Sequence, residues 1–443
     1  MAPPAQKVHQ LITASKPVLQ ASRLLALPAE LLEAVLKDAY AHNAPRGPIC
    51  RSLLPFHDSH VREKFRRVKI RSNELASYCR SLEMRKTVGT MCESFKIAKS
   101  FNRGEDLPAS KLSLLMSSLP NVHHLVLDGD QLVKTFLEQV ATSQDQFMPH
   151  LRVLGLEGTA TDSGDPYHPS LLKGLANFPA LESLTLSLAV PDAPGGLGRI
   201  KDEDNYSLAC VKTLTLVAVK SSLGAADLVM RCAALSTLTI RDEPYMEKIA
   251  SVLAAAAGLA SITALELAGS GASSWKLPKG LKSLTTVESL VVGRGCTCRD
   301  KPSFAILRRL PLTSIEFGQD TIVSASHLLE LISGDSRHPT LTELELNNID
   351  AYGGDVQSLD WREQRHELND WFYEIRLPKW TKTFSRDGLE ELVAAAEREG
   401  ISLTGDAVEA PEIEEQILED KRQVEGWMER EARRERRRWQ GRW

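Results

Sequence analysis

The chain has 443 residues, of which 42% are hydrophobic and 25% charged, with a formal net charge of −4 and a pI near 6.3. That balance excludes a general nucleic-acid binder, which needs net positive charge on its surface, and no run of about 18 apolar residues offers a membrane span. Residues 1–26 lack the basic start, apolar middle and small-residue cleavage site of a secretory leader, and the seven scattered cysteines have no framework spacing; a soluble cytoplasmic or nuclear protein is expected.

In chain order, residues 1–23 are small and polar, with Pro3, Pro4 and Pro17, and read as a loose lead-in. Pro28 suits a first helical position, where its missing N–H costs nothing. Leu27, Leu31, Leu32, Val35 and Leu36 then form an apolar stripe at helical spacing. Ala41 to Pro48 is broken by Pro45, Gly47 and Pro48, so no second helix is expected there. His57 and His60 have an H-x-x-H spacing, but no further zinc ligands can be assigned nearby, and a solvated loop is expected.

From Phe65 onward one frame returns: apolar, two variable residues, apolar, one variable residue, apolar. It reads Phe65-Val68-Ile70, Cys92-Phe95-Ile97, Val122-Leu125-Leu127, Leu151-Leu154-Leu156, Leu181-Leu184-Leu186 and Val211-Leu214-Leu216. It continues as Leu235-Leu238-Ile240, Ile262-Leu265-Leu267, Val287-Leu290-Val292, Leu312-Ile315-Phe317, Leu341-Leu344-Leu346 and Phe372-Ile375-Leu377, and closes with Ile401 as central residue and Leu403. The central residues step by 24 to 31 positions, close to 28 on average. Alternate residues at the end of each frame lie on one side of a strand. The intervening segments carry helical spacing, predicting helices over 74–84, 110–119, 130–142, 169–177, 224–233, 245–257, 303–309, 325–333, 362–371 and 387–398. Burying three large apolar side chains per unit contributes about 5–8 kcal/mol before conformational entropy is counted, which stabilises a stack but not a single unit.

This frame and period resemble leucine-rich repeats. The resemblance implies an α/β solenoid of about 13 repeats over residues 61–405, with parallel strands on a concave face and helices on the convex face. Directly before the array, Leu27-Pro28-x-Glu30-Leu31-Leu32-x-x-Val35-Leu36 resembles the opening of an F-box. Ile49 to Phe56, followed by Phe65 to Ser72, looks like the F-box end and first strand of fungal F-box proteins with leucine-rich repeats. That resemblance implies an F-box-like helical segment over 24–60 that docks on a Skp-type adaptor and cullin scaffold of an SCF-type ubiquitin ligase. Leu27, Pro28, Leu31, Leu32, Val35, Leu36, Ile49 and Leu53 would carry the docking, and the repeats would hold a protein substrate. The chain departs from the family in its broken second helix and in lacking a Trp after Cys50-Arg51. Both favour an alternative in which the F-box remnant only caps a protein-interaction scaffold.

Residues flanking the inner apolars of each strand face the concave side. They run from basic (Arg67, Lys69, Arg71, Lys96) through hydroxyl-bearing (Thr185, Thr215, Thr239) to acidic (Glu266, Glu316, Glu343, Glu345), a gradient suited to orienting a partner. Trp361, Trp371 and Trp380 lie in an aromatic-rich stretch and are candidate anchors, or large side chains that close the end of the array. Cys296 and Cys298 read as free thiols in a turn, Gly269 to Gly271 as a turn, and Asp128 to Asp130 lacks a calcium-ligand ladder. Residues 406–443 have a helix-forming composition that is acidic first and Arg-rich later, read as an ion-paired helix or an import signal. No nucleophile–base pair stands out. The expectation is a non-enzyme without metal or cofactor, monomeric outside its complex.

Overall fold

The structure, a computed structural model, describes residues 65–84, 89–98, 109–142, 147–159, 169–189, 206–217, 223–243, 246, 249–270, 274–318, 321–347 and 384–440. The strands are β1 (Arg67–Arg71), β2 (Ser94–Ala98), β3 (His124–Asp128), β4 (Val153–Thr159), β5 (Ser183–Ala189), β6 (Thr213–Val217) and β7 (Thr237–Glu243). They continue as β8 (Ala264–Gly269), β9 (Ser289–Gly293), β10 (Thr297–Cys298), β11 (Ser314–Phe317), β12 (Ile322–Val323), β13 (Glu343–Leu346) and β14 (Ser402–Thr404). Twelve form one parallel sheet in sequence order, β1 to β9 and then β11, β13 and β14, while β10 and β12 pair separately. Parallel neighbours need a crossover. Helices supply many of these: α1 (Leu75–Met84), α2 (Ala109–Ser118), α3 (Asp130–Thr142), α4 (Leu223–Arg231), α5 (Ala250–Ala257), α6 (Lys301–Leu307), α7 (Ala325–Ile332) and α8 (Arg386–Glu399). A long α9 (Asp406–Gln440) ends the described chain.

The chain divides into two compact units, Met1–Val126 with Gln146–Leu151, and Leu127–Asp145 with Arg152–Trp443. In the first, β1 and β2 run parallel with Val68 beside Phe95 and Ile70 beside Ile97. Phe95 and Ile97 are buried with Leu75, Cys79 and Leu82 of α1 and Leu112, Leu115 and Met116 of α2. Tyr78 lies against Phe95 with ring centroids 5.3 Å apart. Burial raises the Tyr78 hydroxyl well above its ordinary range, with smaller contributions from Cys92 and Cys79.

In the second unit the frame builds the core row by row. Leu154, Leu184, Leu214, Leu238, Leu265, Leu290, Ile315 and Leu344 align strand to strand. So do Leu156, Leu186, Leu216, Ile240, Leu267, Val292, Phe317 and Leu346, and all sixteen are buried. The first residue of each frame, from Leu181 to Leu341, is buried as well. One residue further on, a backbone carbonyl accepts two N–H groups from the following repeat. Glu182 O receives Lys212 N and Thr213 N at 2.8 and 3.0 Å, and the pattern repeats at Lys212, Ser236, Thr263, Glu288 and Thr313. Hydroxyls reinforce it: Ser261, Thr286 and Thr340 each donate to the carbonyl of the previous frame's first apolar residue, at 2.7 Å in all three. The backbone needs of each strand start are thus met by its sequence neighbour.

Several expectations change. Glu343, Leu344 and Glu345 of β13 pair directly with Ser402, Leu403 and Thr404 of β14. The frame at Phe372-Ile375-Leu377 lies outside the described residues. Leu403, not Ile401, is the central residue of the last strand. Gly405 then stands level with Leu346 in place of a third apolar residue. The segment Pro169–Asn177 is a 3-10 helix, and a 3-10 turn at Lys279–Ser283 crosses from β8 to β9 where no helix was expected. Packing decides the first of these: a Cβ at Gly174 would sit 2.5 Å from Ala141 N, so the segment lies against the end of α3 with no room for a side chain there. Cys296 and Cys298 are not in a turn. They are buried at β10, with Sγ atoms 3.4 Å apart. Trp275 bridges to Cys296 on the same side sheet, and its Nε1 donates to Arg294 O at 2.8 Å. Next to this pair Asp300 caps α6 through Ser303 N, and its carboxyl is held down to about 2 by hydrogen bonds from Lys276 and Ser303.

Candidate protein-interaction face

Side chains alternate along a strand, so the residues between the core rows lie on the sheet's other face. In the second unit the middle row of that face runs Gly155, Thr185, Thr215, Thr239, Glu266, Val291, Glu316, Glu345 and Thr404. The row before it runs Val153, Ser183, Thr213, Thr237, Ala264, Ser289, Ser314, Glu343 and Ser402. Small and hydroxyl-bearing groups thus occupy β4 to β7, and carboxylates accumulate from β8 to β13. The backbone beneath is fixed by the ladder, so each group is held in place without loop ordering.

The predicted face residues differ in how free they are. Thr185 and Thr215 are half-buried, whereas Thr239 is buried and donates to Glu266 Oε2 at 3.3 Å. Glu266 is already engaged, because Arg241 grips both of its oxygens at 2.6 and 2.9 Å. With Arg241 more than half exposed, the pair contributes at most about 1 kcal/mol. Arg241 opens a third row, one that the sequence reading did not name; its place two residues after Thr239 in the same strand was the available signal. Asp242 and Arg294, which form an ion pair, both have positive φ, 52° and 44°. Few non-glycine residues adopt that conformation, and the pair sits where β7 and β9 end.

Glu316 and Glu345 lie side by side in register. Asn347 joins them, donating through Nδ2 to Glu316 Oε1 at 3.2 Å and Glu345 Oε1 at 2.6 Å. Glu343 is exposed two residues earlier on the same strand. Among the described residues no Lys or Arg forms an ion pair with these three carboxylates. An amide between two carboxylates satisfies one lone pair on each without neutralising them, so this end of the face keeps its negative charge and open acceptor sites. Such a surface favours Lys or Arg side chains.

The first unit presents the opposite sign. Arg67, Lys69 and Arg71 are exposed on β1, and Lys69 is level with Lys96 of β2. His123 and His124 are exposed, and the ring of His123 lies 6.0 Å from that of His150. The expected adaptor residues Leu27, Pro28, Leu31, Leu32, Val35, Leu36, Ile49 and Leu53 lie outside the described residues, as do Trp361, Trp371 and Trp380.

Among the described residues no three His, Cys, Asp or Glu side chains are grouped to hold a metal ion. No described helix is long and apolar enough to cross a membrane. An open groove of about 360 Å³ lies along the strand starts, lined by Arg152, Glu182, Cys210 and Lys212 among others. Two of these lining residues, Lys212 and Glu182, form an ion pair at 3.2 Å. His338 is fully buried, with Nε2 2.8 Å from Leu310 O. Burial lowers its pKa and the carbonyl contacts partly restore it, which fits a neutral, structural imidazole. No protein-family model matches the chain, and no characterised protein matches its sequence.

Proposed function

We propose that the chain is a non-catalytic substrate receptor of an SCF-type ubiquitin ligase. Leucine-rich repeats, stacked as a solenoid, hold a protein partner on the open face of the sheet, and an F-box-like segment engages a Skp-type adaptor. The observation that carries the binding half is the in-register row Thr185 to Glu345, backed by a continuous apolar core. A surface of this kind, rigid and polar and built on backbone that does not move, is fitted to recognition more than to chemistry. The partner class follows from Glu316, Glu343 and Glu345: a protein presenting Lys or Arg side chains.

The adaptor half rests on the resemblance of residues 27–72 to an F-box. The competing reading, a scaffold whose F-box remnant engages no adaptor, is favoured by Pro45, Gly47 and Pro48 in place of a second helix.

One experiment separates them. The full chain, tagged, is expected to retain a Skp-type adaptor from solution, and Leu31→Asp with Leu32→Asp to lose it by more than about tenfold, since a carboxylate in an apolar interface costs several kcal/mol. Wild type that fails to retain the adaptor moves the assignment to the scaffold. Proteins recovered on the wild-type chain but lost on Glu316→Arg with Glu343→Arg and Glu345→Arg are the face's partners. Recovery indifferent to those three changes removes the sheet face from the account.

A further inference from the structure

The stretch from Lys276 to Arg309 carries eight cations and two carboxylates, in a chain whose formal net charge is −4. Three of the cations are engaged: Lys276 with Asp300 at 2.7 Å, Arg294 with Asp242, and Arg308 with Glu330 at 3.3 Å. The other five, Lys279, Lys282, Arg299, Lys301 and Arg309, are exposed and form no ion pair among the described residues. Of the two carboxylates, Asp300 is taken up by Lys276 and by the start of α6, and Glu288 stands just before β9.

Local geometry gathers these cations on one side. Leu281 is buried, so the 3-10 turn Lys279–Ser283 sends Lys279 and Lys282 outward; three residues apart on such a turn, they stand one above the other. α6 packs beside this turn and buries Ser303, Phe304 and Leu307. It exposes Lys301 and Ala305, and Arg309 follows at the same spacing of four. Arg299 and Lys301 flank the capping Asp300, which Lys276 ties to the chain leading into the turn. The neighbouring helices do not neutralise the patch: α5 has no charged residue, and the one carboxylate of α7, Glu330, belongs to Arg308. Leu281, Phe304 and Leu307 are part of the core, so the cations lie on its far side from the open sheet face.

The chemistry of the patch selects the kind of partner. Protein interfaces centre on aromatic and Arg anchors and are depleted in Lys. Here Lys predominates, Trp275 and Phe304 are buried, and the one large apolar side chain exposed among the described residues, Met230, is on α4. Single-stranded nucleic acid needs exposed rings for its bases to stack on, and this face has none. A duplex is read by an element that enters a groove, whereas α6 lies packed against its neighbours with one face free. What remains is diffuse positive charge on a firmly packed surface. That matches the anionic headgroups of a membrane leaflet, where each nearby Lys or Arg adds attraction without fitting a pocket. The chain's net negative charge does not cancel it. The width of a helix, about 10–12 Å, separates the patch from the carboxylates of the open face, and the Debye length at physiological ionic strength is only about 8 Å.

We infer that the outer face of the Lys279–Ser283 turn and α6 docks on an anionic lipid surface, through charge alone and without insertion. Docked this way, the open face of the sheet points away from the bilayer and stays free for a protein. The inference departs from the soluble protein expected on sequence grounds and does not depend on the receptor reading.

Co-sedimentation of the full chain with lipid vesicles tests it. Vesicles of phosphatidylcholine with about 30% phosphatidylserine should carry the protein down at low salt, phosphatidylcholine alone should not, and high salt should weaken binding by at least about tenfold. Lys279→Glu with Lys282→Glu and Lys301→Glu should lose at least about tenfold in affinity, with the melting temperature unchanged. Arg430→Glu with Arg433→Glu and Arg436→Glu, the same change of net charge at exposed residues of α9, should bind as the wild type does. Wild type that ignores the anionic vesicles overturns the inference. So does equal loss in both variants, which would make net charge and not this face the cause, or loss confined to the α9 variant. Duplex DNA held more tightly than the vesicles, and released by the Lys279 variant, reassigns the patch to nucleic acid and overturns it too. Failure of the receptor reading shows elsewhere, in adaptor and partner retention, and leaves vesicle binding untouched.

Discussion

Leu214→Ala is expected to cost about 2–5 kcal/mol of unfolding free energy, whereas Thr215→Ala, one residue along the same strand, should cost less than about 1 kcal/mol. Leu214 is fully buried, between Leu184 and Leu238 in one core row. Truncation removes three buried carbons and leaves a cavity that the fixed strand spacing prevents from collapsing. Thr215 lies on the other face, half-buried between Thr185 and Thr239, and removing its hydroxyl and methyl opens no void in the core. Urea denaturation followed by circular dichroism reads both. Equal costs for the two would mean that the strand does not separate core from surface.

The second large effect is at Gly405. Its φ is +110°, and a Cβ there would lie 2.4 Å from Leu346 O and 2.7 Å from Leu346 C. Both the conformation and the space exclude a side chain, and the obstructing atoms are backbone that cannot rotate away. Gly405→Ala is therefore expected to cost about 3 kcal/mol or more. The damage should be local, because β14 is the last strand of the sheet, beside β13, and lies between α8 and α9 in the chain. Hydrogen exchange should accelerate in Ser402 to Thr404 while β4 to β6 keep their protection. Unchanged exchange in β14 would show that the close approach of Gly405 to Leu346 is not a constraint.

Much of the fold was legible because one physical requirement, an apolar residue at every second position over a buried layer, was met almost without exception from Phe95 to Leu346. The places where reading failed share a cause: they are set by what lies beside them in space. Ile401 and Leu403 are both apolar and equally plausible strand centres, and only pairing with Leu344 decides for Leu403. Gly405 gave no apolar signal because the space is filled by the Leu346 backbone. Trp275 and Cys296 carry no periodicity, yet they meet across a side sheet, and a Cβ at Gly269 would lie 2.6 Å from Trp275 Nε1. On the open face the middle row could be written down from sequence. That Glu266 is engaged by Arg241, while Glu316 and Glu345 share Asn347, depends on side chains reaching across strands. Sequence spacing gives the row but not who is already spoken for.

The claim on which the rest depends is that each frame presents alternate residues to a core and to an open face. Single cysteines at positions 213 to 217, in a Cys50→Ser and Cys210→Ser background, test it through the rate of maleimide labelling of the folded protein. Thr213→Cys, Thr215→Cys and Val217→Cys should label readily, and Leu214→Cys and Leu216→Cys only once denaturant is added. Uniform labelling across the five positions, or a rhythm of three to four residues, would contradict the account.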